Sequence, residues 1–301
     1  PRIISTPLIS QRELACLSKT SEDARASGGT TLFERDTCIG EILKANGDCL
    51  VSGQPGVGKT AVLSVVLSRS DGWFVKSGNR AELAAELNRV DPKIVAVEDA
   101  HGQTELLRTL RSLRQEHSLG YRIICDCWPM QVDDLRAELH LTAEAIHELG
   151  PISNKAVIQM AKDRGISGPD SFFHHLIRQS MGFPGRAAML LQCCNIRDQA
   201  DIQDFINGES IARWIKRFAL RNSDRESLDV LACLSLGRER GMSLSIVSEY
   251  LELSIRKVET MVAGFSASGL IEQSNWGGLV VHPYAIRPVL IRDYFFSVPR
   301  R

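Results

Sequence analysis

From Leu32 onward, short apolar runs alternate with stretches of helical period. The runs CLVSG, WFVKS, KIVAVED, RIICDCW and IHEL have the length and composition of buried strands, and patterns such as NRAELAAELNRV and GQTELLRTLRSLRQEH lie between them. Strands alternating with helices predict an α/β fold, a parallel sheet with helices on both faces. After Pro151 the strand-like runs cease, and SNKAVIQMAKDRG, DSFFHHLIRQS, GRAAMLLQCC, DIQDFING and ESIARWIKRFAL predict a small helical domain. Ser153 and Asp170 stand at expected helix N-caps. From about Ser223, three further helical patterns precede GLIEQS and GGLVVHP, which flank the turn NWGG; three helices and a hairpin predict a winged helix. The expected organisation is an irregular leader over 1–30, an α/β domain over 31–150, a helical domain over 151–221 and a winged helix over 222–301.

The stretch GQPGVGKT, Gly53 to Thr60, falls between the first strand-like run and the apolar helix AVLSVVL. Glycines at this spacing let backbone amides turn inward around phosphates, a lysine reaches the outer phosphates and a threonine hydroxyl holds magnesium. The expected nucleotide contacts are therefore Gly53, Pro55, Gly56, Val57, Gly58, Lys59, Thr60 and Ala61. KIVAVEDAH ends a buried strand with Glu98 and Asp99, at the carboxyl edge where open parallel sheets bind ligands. One acid would orient magnesium through water and the other polarise an attacking water, so both are candidate catalytic and metal residues beside Thr60. RIICDCWP brings Asp126, Cys127 and Trp128 toward the same edge, where a polar residue would sense the γ-phosphate and Trp128 would otherwise cap the core.

Charge narrows the partners. The 36 basic and 36 acidic residues cancel, so no global field draws the chain to nucleic acid or an anionic membrane. Eight cysteines include no CxxC pair and sit largely in apolar runs, which suits reduced thiols of a cytoplasmic protein. No apolar run approaches the ~20 residues of a membrane helix. The start at Pro1 and the end just after an apolar segment suggest a piece of a longer protein.

In order, ERD before the first helix, GQPGVGKT, VAVEDAH, RIICDCWP, the ELGPIS turn, GFPG and VVHPYAIRPVLIRDYF resemble the STAND class of signal-transducing P-loop ATPases, relatives of AAA+ proteins, over most of residues 32–296. The likeness is greatest to bacterial antiviral STAND sensors. It implies that Arg35 of ERD belongs to the nucleotide site, that Pro184 packs against adenine, that Arg186 falls near the sensor-2 position and that His282 touches the β-phosphate of ADP. Gly182 ending one helix and Pro184 starting the next would also account for GFPG without a ligand. The family's usual arginine after the fourth strand is Trp128 here, which leaves phosphate sensing to Arg122, Asp126 or another residue, and its usual Asp after the histidine is Pro283.

The resemblance implies a slow regulatory ATPase using ATP or ADP with Mg²⁺, locked by ADP at rest and driven to self-oligomerise by ATP, with effector and sensor domains outside this stretch. The rivals are a replication initiator or helicase loader of the AAA+ class that binds DNA through its winged helix, a STAND transcription regulator, and a scaffold that keeps ADP without hydrolysing it. The candidate recognition helix offers Arg256 and Lys257 against Glu259, which is poor for neutralising phosphates, so DNA is not expected as a partner.

Overall fold

Five of the expected apolar runs form strands: β2 (Cys49–Ser52), β3 (Gly72–Val75), β4 (Ile94–Val97), β5 (Arg122–Cys127) and β6 (Ile146–Glu148). The computed structural model describes residues 16–18, 32–76, 79–193, 199–214, 225–267 and 270–296. It divides into two compact units, one of Pro1–Thr30, Arg35–Ser52 and Thr60–Glu148, the other of Thr31–Glu34, Gly53–Lys59 and Leu149–Arg301.

In the first unit the sheet order is β1-β3-β4-β5-β2-β6, with β2 to β6 parallel. The antiparallel edge strand β1 is Leu17–Ser18, inside the stretch read as an irregular leader. The Glu86 carboxylate accepts the amides of Cys16 and Leu17 at 3.0 and 3.1 Å. Alternate residues of the central strands explain the unbroken apolar runs. Leu50, Val95, Val97, Ile123, Cys125 and Cys127 pack in one core with Leu83 and Leu87 of α3 (Arg80–Val90), Leu107, Leu110 and Leu113 of α4 (Thr104–Glu116), and Leu135 and Leu139 of α5 (Val132–Leu139). The intervening Cys49, Val51, Ile94, Ala96 and Ile124 are buried too, as are Ile39 and Ile42 of α1 (Asp36–Lys44) and Val62, Leu63 and Val66 of α2 (Lys59–Arg69). Asn79 and Glu82 close a reciprocal capping box at the start of α3.

The parallel register sets the carboxyl ends of β2 to β6 on one edge, so the residues after β4 and β5 emerge side by side. At the opposite edge Asp48 accepts from both terminal nitrogens of Arg114, at 2.6 and 2.9 Å, and from the Ile123 amide at 2.7 Å. Among the described residues Cys16, Cys38, Cys49, Cys125, Cys127 and Cys233 form no disulfide. Burial pushes the Cys38 thiol up to about 11.

In the second unit the helices are α6 (Asn154–Asp163), α7 (Asp170–Ser180), α8 (Pro184–Cys193), α9 (Gln199–Ile206), α10 (Glu209–Trp214), α11 (Arg225–Ser235), α12 (Leu244–Leu251) and α13 (Ile255–Ala267). The hairpin β7 (Ile271–Gln273) and β8 (Leu279–Val281) follows, then α14 (Arg287–Ile291). Ser153 caps α6 as expected, its Oγ accepting the Ala156 amide at 3.2 Å. Asp170 does not cap α7: Pro169 is the cap residue, its carbonyl accepting the Phe172 amide, and Asp170 is the first helical residue. The fixed φ of proline turns the chain one residue earlier, and the acid then favours the positive end of the helix.

Asp48→Ala should lower the unfolding free energy by about 2 kcal/mol, the scale of charged hydrogen bonds lost from a partly buried site. Urea unfolding would measure this, and a change below about 0.5 kcal/mol would show that the Asp48 cluster is dispensable.

Candidate nucleotide site

The loop Gly53–Gly58 is shaped by residues that only glycine suits. Gly56 and Gly58 adopt φ of 79° and 99°, in the left-handed region, while Pro55 before them and Val57 between them are buried. Lys59 opens α2, is 7% exposed, and its Nζ donates to the carbonyls of Gly53 at 2.9 Å and Gln54 at 3.5 Å. Thr60 and Ala61 follow in the first turn, both half-buried.

The same unit brings α8 against this loop. The Gly185 amide donates to the Gly56 carbonyl at 2.8 Å, and a Cβ at Gly185 would lie 2.9 Å from that oxygen and 3.0 Å from Gly56 Cα. Backbone therefore meets backbone with no room for a side chain. Pro184, the first residue of α8, has its ring beside Gly58, with Cγ 3.9 Å from where a Cβ would stand. Met181, in left-handed backbone, caps α7 in place of Gly182, and the GFPG sequence that follows starts α8 and contacts the loop.

Arg186 points into the interior, fully buried, its guanidinium over the Phe183 ring at 4.1 Å. Its NH2 donates to Glu272 Oε2 from β7, and His282 Nε2 lies 3.1 Å from that same oxygen. Burial drives the His282 pKa down to about 4, so the imidazole is neutral at pH 7 and Nε2 carries the proton it donates. Burial also lowers Arg186, against the opposing Glu272 charge. Glu272, although burial raises it, is held below the usual carboxylate range by the His282 hydrogen bond and the Arg186 charge. His282 precedes a cis bond to Pro283, and its ring packs 4.4 Å from that of Tyr284.

In the first unit, Glu98 and Asp99 leave the carboxyl end of β4. Asp99 has φ 45°, and its amide donates to Asp126 Oδ1 at 2.5 Å, which fixes the unusual turn after β4. The Glu98 carbonyl accepts the Gln103 side-chain amide at 2.8 Å. Trp128 packs against His101 with ring centroids 5.3 Å apart and planes tilted by 42°. Of the sensor candidates, Asp126 is at the site edge, bonded to the Asp99 amide. Arg122 is not: it opens β5 at the opposite edge, where its guanidinium donates to the Ile42 carbonyl at 2.7 Å. Arg35 is buried just before α1, and its carbonyl accepts the Ile39 amide.

Sequence reasoning missed Glu272, Gly185 and the tie from Asp126 to Asp99. The last joins residues 27 apart and the Arg186–Glu272 pair residues 86 apart, so no local pattern signals them. Among the described residues no group of three or more His, Cys, Asp or Glu side chains could hold a metal alone. A magnesium ion here would need phosphate oxygens and water beside Thr60 and the acids, which suits a hard cation that keeps much of its hydration. In one unit the glycine cradle and the buried lysine fit nucleotide phosphates; in the other, Thr60 and the acids after β4 are oxygen donors of the kind magnesium takes. No helix among the described residues is long and apolar enough to cross a membrane.

The parallel sheet flanked by helices and the glycine loop after β2 give the chain a P-loop fold, which solved ATPase structures share. The Walker-type ATPase PABY2304 of Pyrococcus abyssi superposes at a TM-score of 0.50 with 15% identity, over 87% of this chain and 96% of that one. The Orc1 protein of Aeropyrum pernix, solved in complex with DNA, superposes at 0.54 with 14% identity, over 89% and 94%. A STAND protein with a tetratricopeptide repeat sensor from Pyrococcus horikoshii reaches 0.39 with 13% identity, over 90% of this chain and 43% of that one, and that likeness bears no weight here. No protein-family model and no curated protein matches the sequence.

The unfolded chain binds a proton at a histidine near pH 6.5, whereas folded His282 binds one only near pH 4. Between those values the unfolded state holds more protons, so stability falls as pH falls through the window, by about 3 kcal/mol when complete. Urea unfolding at pH 7.5 and 4.5 should show a larger loss for the parent than for His282→Gln; equal losses would contradict the buried neutral imidazole.

Proposed function

We propose that this chain is an ATP- and ADP-binding switch of the STAND class. In this reading residues 31–150 form the nucleotide-binding domain behind a leader over 1–30, residues 151–221 a helical lid and residues 222–301 a winged helix. The observation that carries it is the bond from the Gly185 amide to the Gly56 carbonyl, with Pro184 beside Gly58. A helix start built this closely onto a phosphate loop responds to what that loop holds. A nucleotide shifts such an arrangement only by its differential affinity for two states, and contacts from the lid to the nucleotide would supply that difference.

The loop amides from Gly53 to Ala61 and the Lys59 ammonium would hold the outer phosphates, with phosphate oxygens replacing the Gly53 and Gln54 carbonyls as acceptors. Thr60, with Glu98 and Asp99 through water, would hold magnesium, whose charge when bound offsets that of the phosphates. Asp126 fixes the turn that presents the two acids. Pro184 would meet the base, Arg186 and His282 would turn to phosphate, and Arg35 would complete the site. The chain then acts as a slow ATPase, resting with ADP and self-associating with ATP, in cytoplasmic antiviral defence, with effector and sensor domains beyond this stretch.

A second reading is a DNA-binding AAA+ initiator. A cleft of about 650 Å³ lined by Arg238, Arg240, Arg287 and Tyr284, with Glu239 as its one acid, favours it, with the exposed Trp276 at the hairpin tip and the Arg240 guanidinium 5.8 Å from its ring. Against it, Lys257 of α13 is ion-paired with Glu226, which removes one of the two cations on the candidate recognition helix. Salt-sensitive DNA binding at physiological ionic strength would move the assignment to this reading.

Lys59→Ala should weaken ATP and ADP binding by about 100-fold or more in calorimetric titration, the scale of losing a buried charge-assisted contact to phosphate. Unchanged affinity would remove the loop from the site. The pair Glu98→Gln and Asp99→Asn should leave binding within a few-fold and cut ATP turnover about 100-fold; undiminished turnover would move catalysis elsewhere.

A further inference from the structure

Arg186 of α8, Glu272 of β7 and His282 after β8 meet through a single atom, Glu272 Oε2, which accepts from both of the others. The guanidinium stays charged at any accessible pH, so its complete burial requires an anion beside it. Glu272 is that anion, but it serves the pair incompletely. Arg186 Nε and His282 Nδ1 are buried without a hydrogen-bond partner among the described residues. A guanidinium edge presents Nε and a terminal nitrogen together, in a fork that matches two oxygens of one phosphate or carboxylate. Glu272 engages the NH2 end alone. A tetrahedral anion with several oxygens would use the Nε that the carboxylate leaves idle.

The backbone of this arginine is already anchored at the loop. Gly185 donates to Gly56, Pro184 stands at Gly58, and Arg186 is the next residue. We propose that Glu272 is an internal competitor of the nucleotide, its carboxylate holding the position on Arg186 and His282 that an outer phosphate takes on binding. The proposal rests on the reading of Gly53 to Thr60 as a nucleotide site. Exchange of one anion for the other releases β7 from α8, so that occupancy of the phosphate loop is transmitted to the hairpin by a swap of hydrogen-bond acceptors. Phe183, stacked on the guanidinium, keeps the arginine in place during the exchange.

Titration of ADP and of AMP into the parent and Glu272→Gln, with thermal unfolding of each in the absence of nucleotide, tests this. The variant should melt at a lower temperature yet bind ADP about tenfold more tightly, the middle of the usual range for coupling between sites. Its affinity for AMP, which lacks the outer phosphate, should stay within about twofold of the parent's. Adding Arg186→Met should abolish the ADP gain and recover much of the thermal loss, because no buried cation remains to be paired. Should Glu272→Gln fail to fold, Glu272→Asp keeps the charge and withdraws the oxygen by one methylene, and a smaller gain for ADP is expected. Equal or weaker ADP binding in either folded variant would overturn the proposal, since Glu272 would then merely position the two donors. An equal gain for AMP would overturn it as well, as general loosening. A parent that binds neither ADP nor ATP would overturn the loop assignment and this proposal with it, whereas a parent that binds through Lys59 without the gain overturns the competition alone.

Discussion

A hydrogen bond between two glycine backbones, from the Gly185 amide to the Gly56 carbonyl, places the groups on which the functional reading depends. A Cβ at Gly185 would lie 2.9 Å from the Gly56 oxygen, so any larger residue pushes the helix off the loop. The loop in turn holds its shape because Gly56 and Gly58 accept left-handed backbone that other residues resist. From this contact Pro184 gains its place beside Gly58, and Arg186 starts its course into the interior.

That course ends in a buried charge cluster whose energetics differ from those of surface ion pairs. Exposed pairs such as Arg108 with Glu138 contribute little, because water screens them. A fully buried arginine faces a large desolvation cost, offset only while an anion and hydrogen bonds remain beside it. The cluster therefore ties α8 to the hairpin only while that anion stays in place, because losing it would leave the buried arginine uncompensated. Conditional stability of this kind, in which one partner can be exchanged for another of like charge, is what a ligand-driven change requires.

The sheet and most helices were legible in the sequence because burial on both faces leaves continuous apolar runs, as in IVAV and RIICDC, and helical period marks the rest. The glycine loop was legible because its pattern is contained in eight consecutive residues. Leu17–Ser18 was not, since two residues carry no period and the strand is defined by its neighbour β3. The start of α7 was misplaced by one residue because an acid and a proline both suit a helix start and the proline's φ decides between them. Arg122 and Asp126 stood as equal sensor candidates in one dimension, although the strand sets them at opposite edges of the sheet. Glu272 was invisible, since nothing in GLIEQS tells that its carboxylate faces an arginine 86 residues earlier.

The most direct test of the account is the identity of the nucleotide released when freshly purified protein is denatured, read by ion-pair chromatography. The account predicts bound ADP in near-stoichiometric amount. Protein that releases no nucleotide, and that takes up neither ADP nor ATP when magnesium and millimolar nucleotide are supplied, would contradict it.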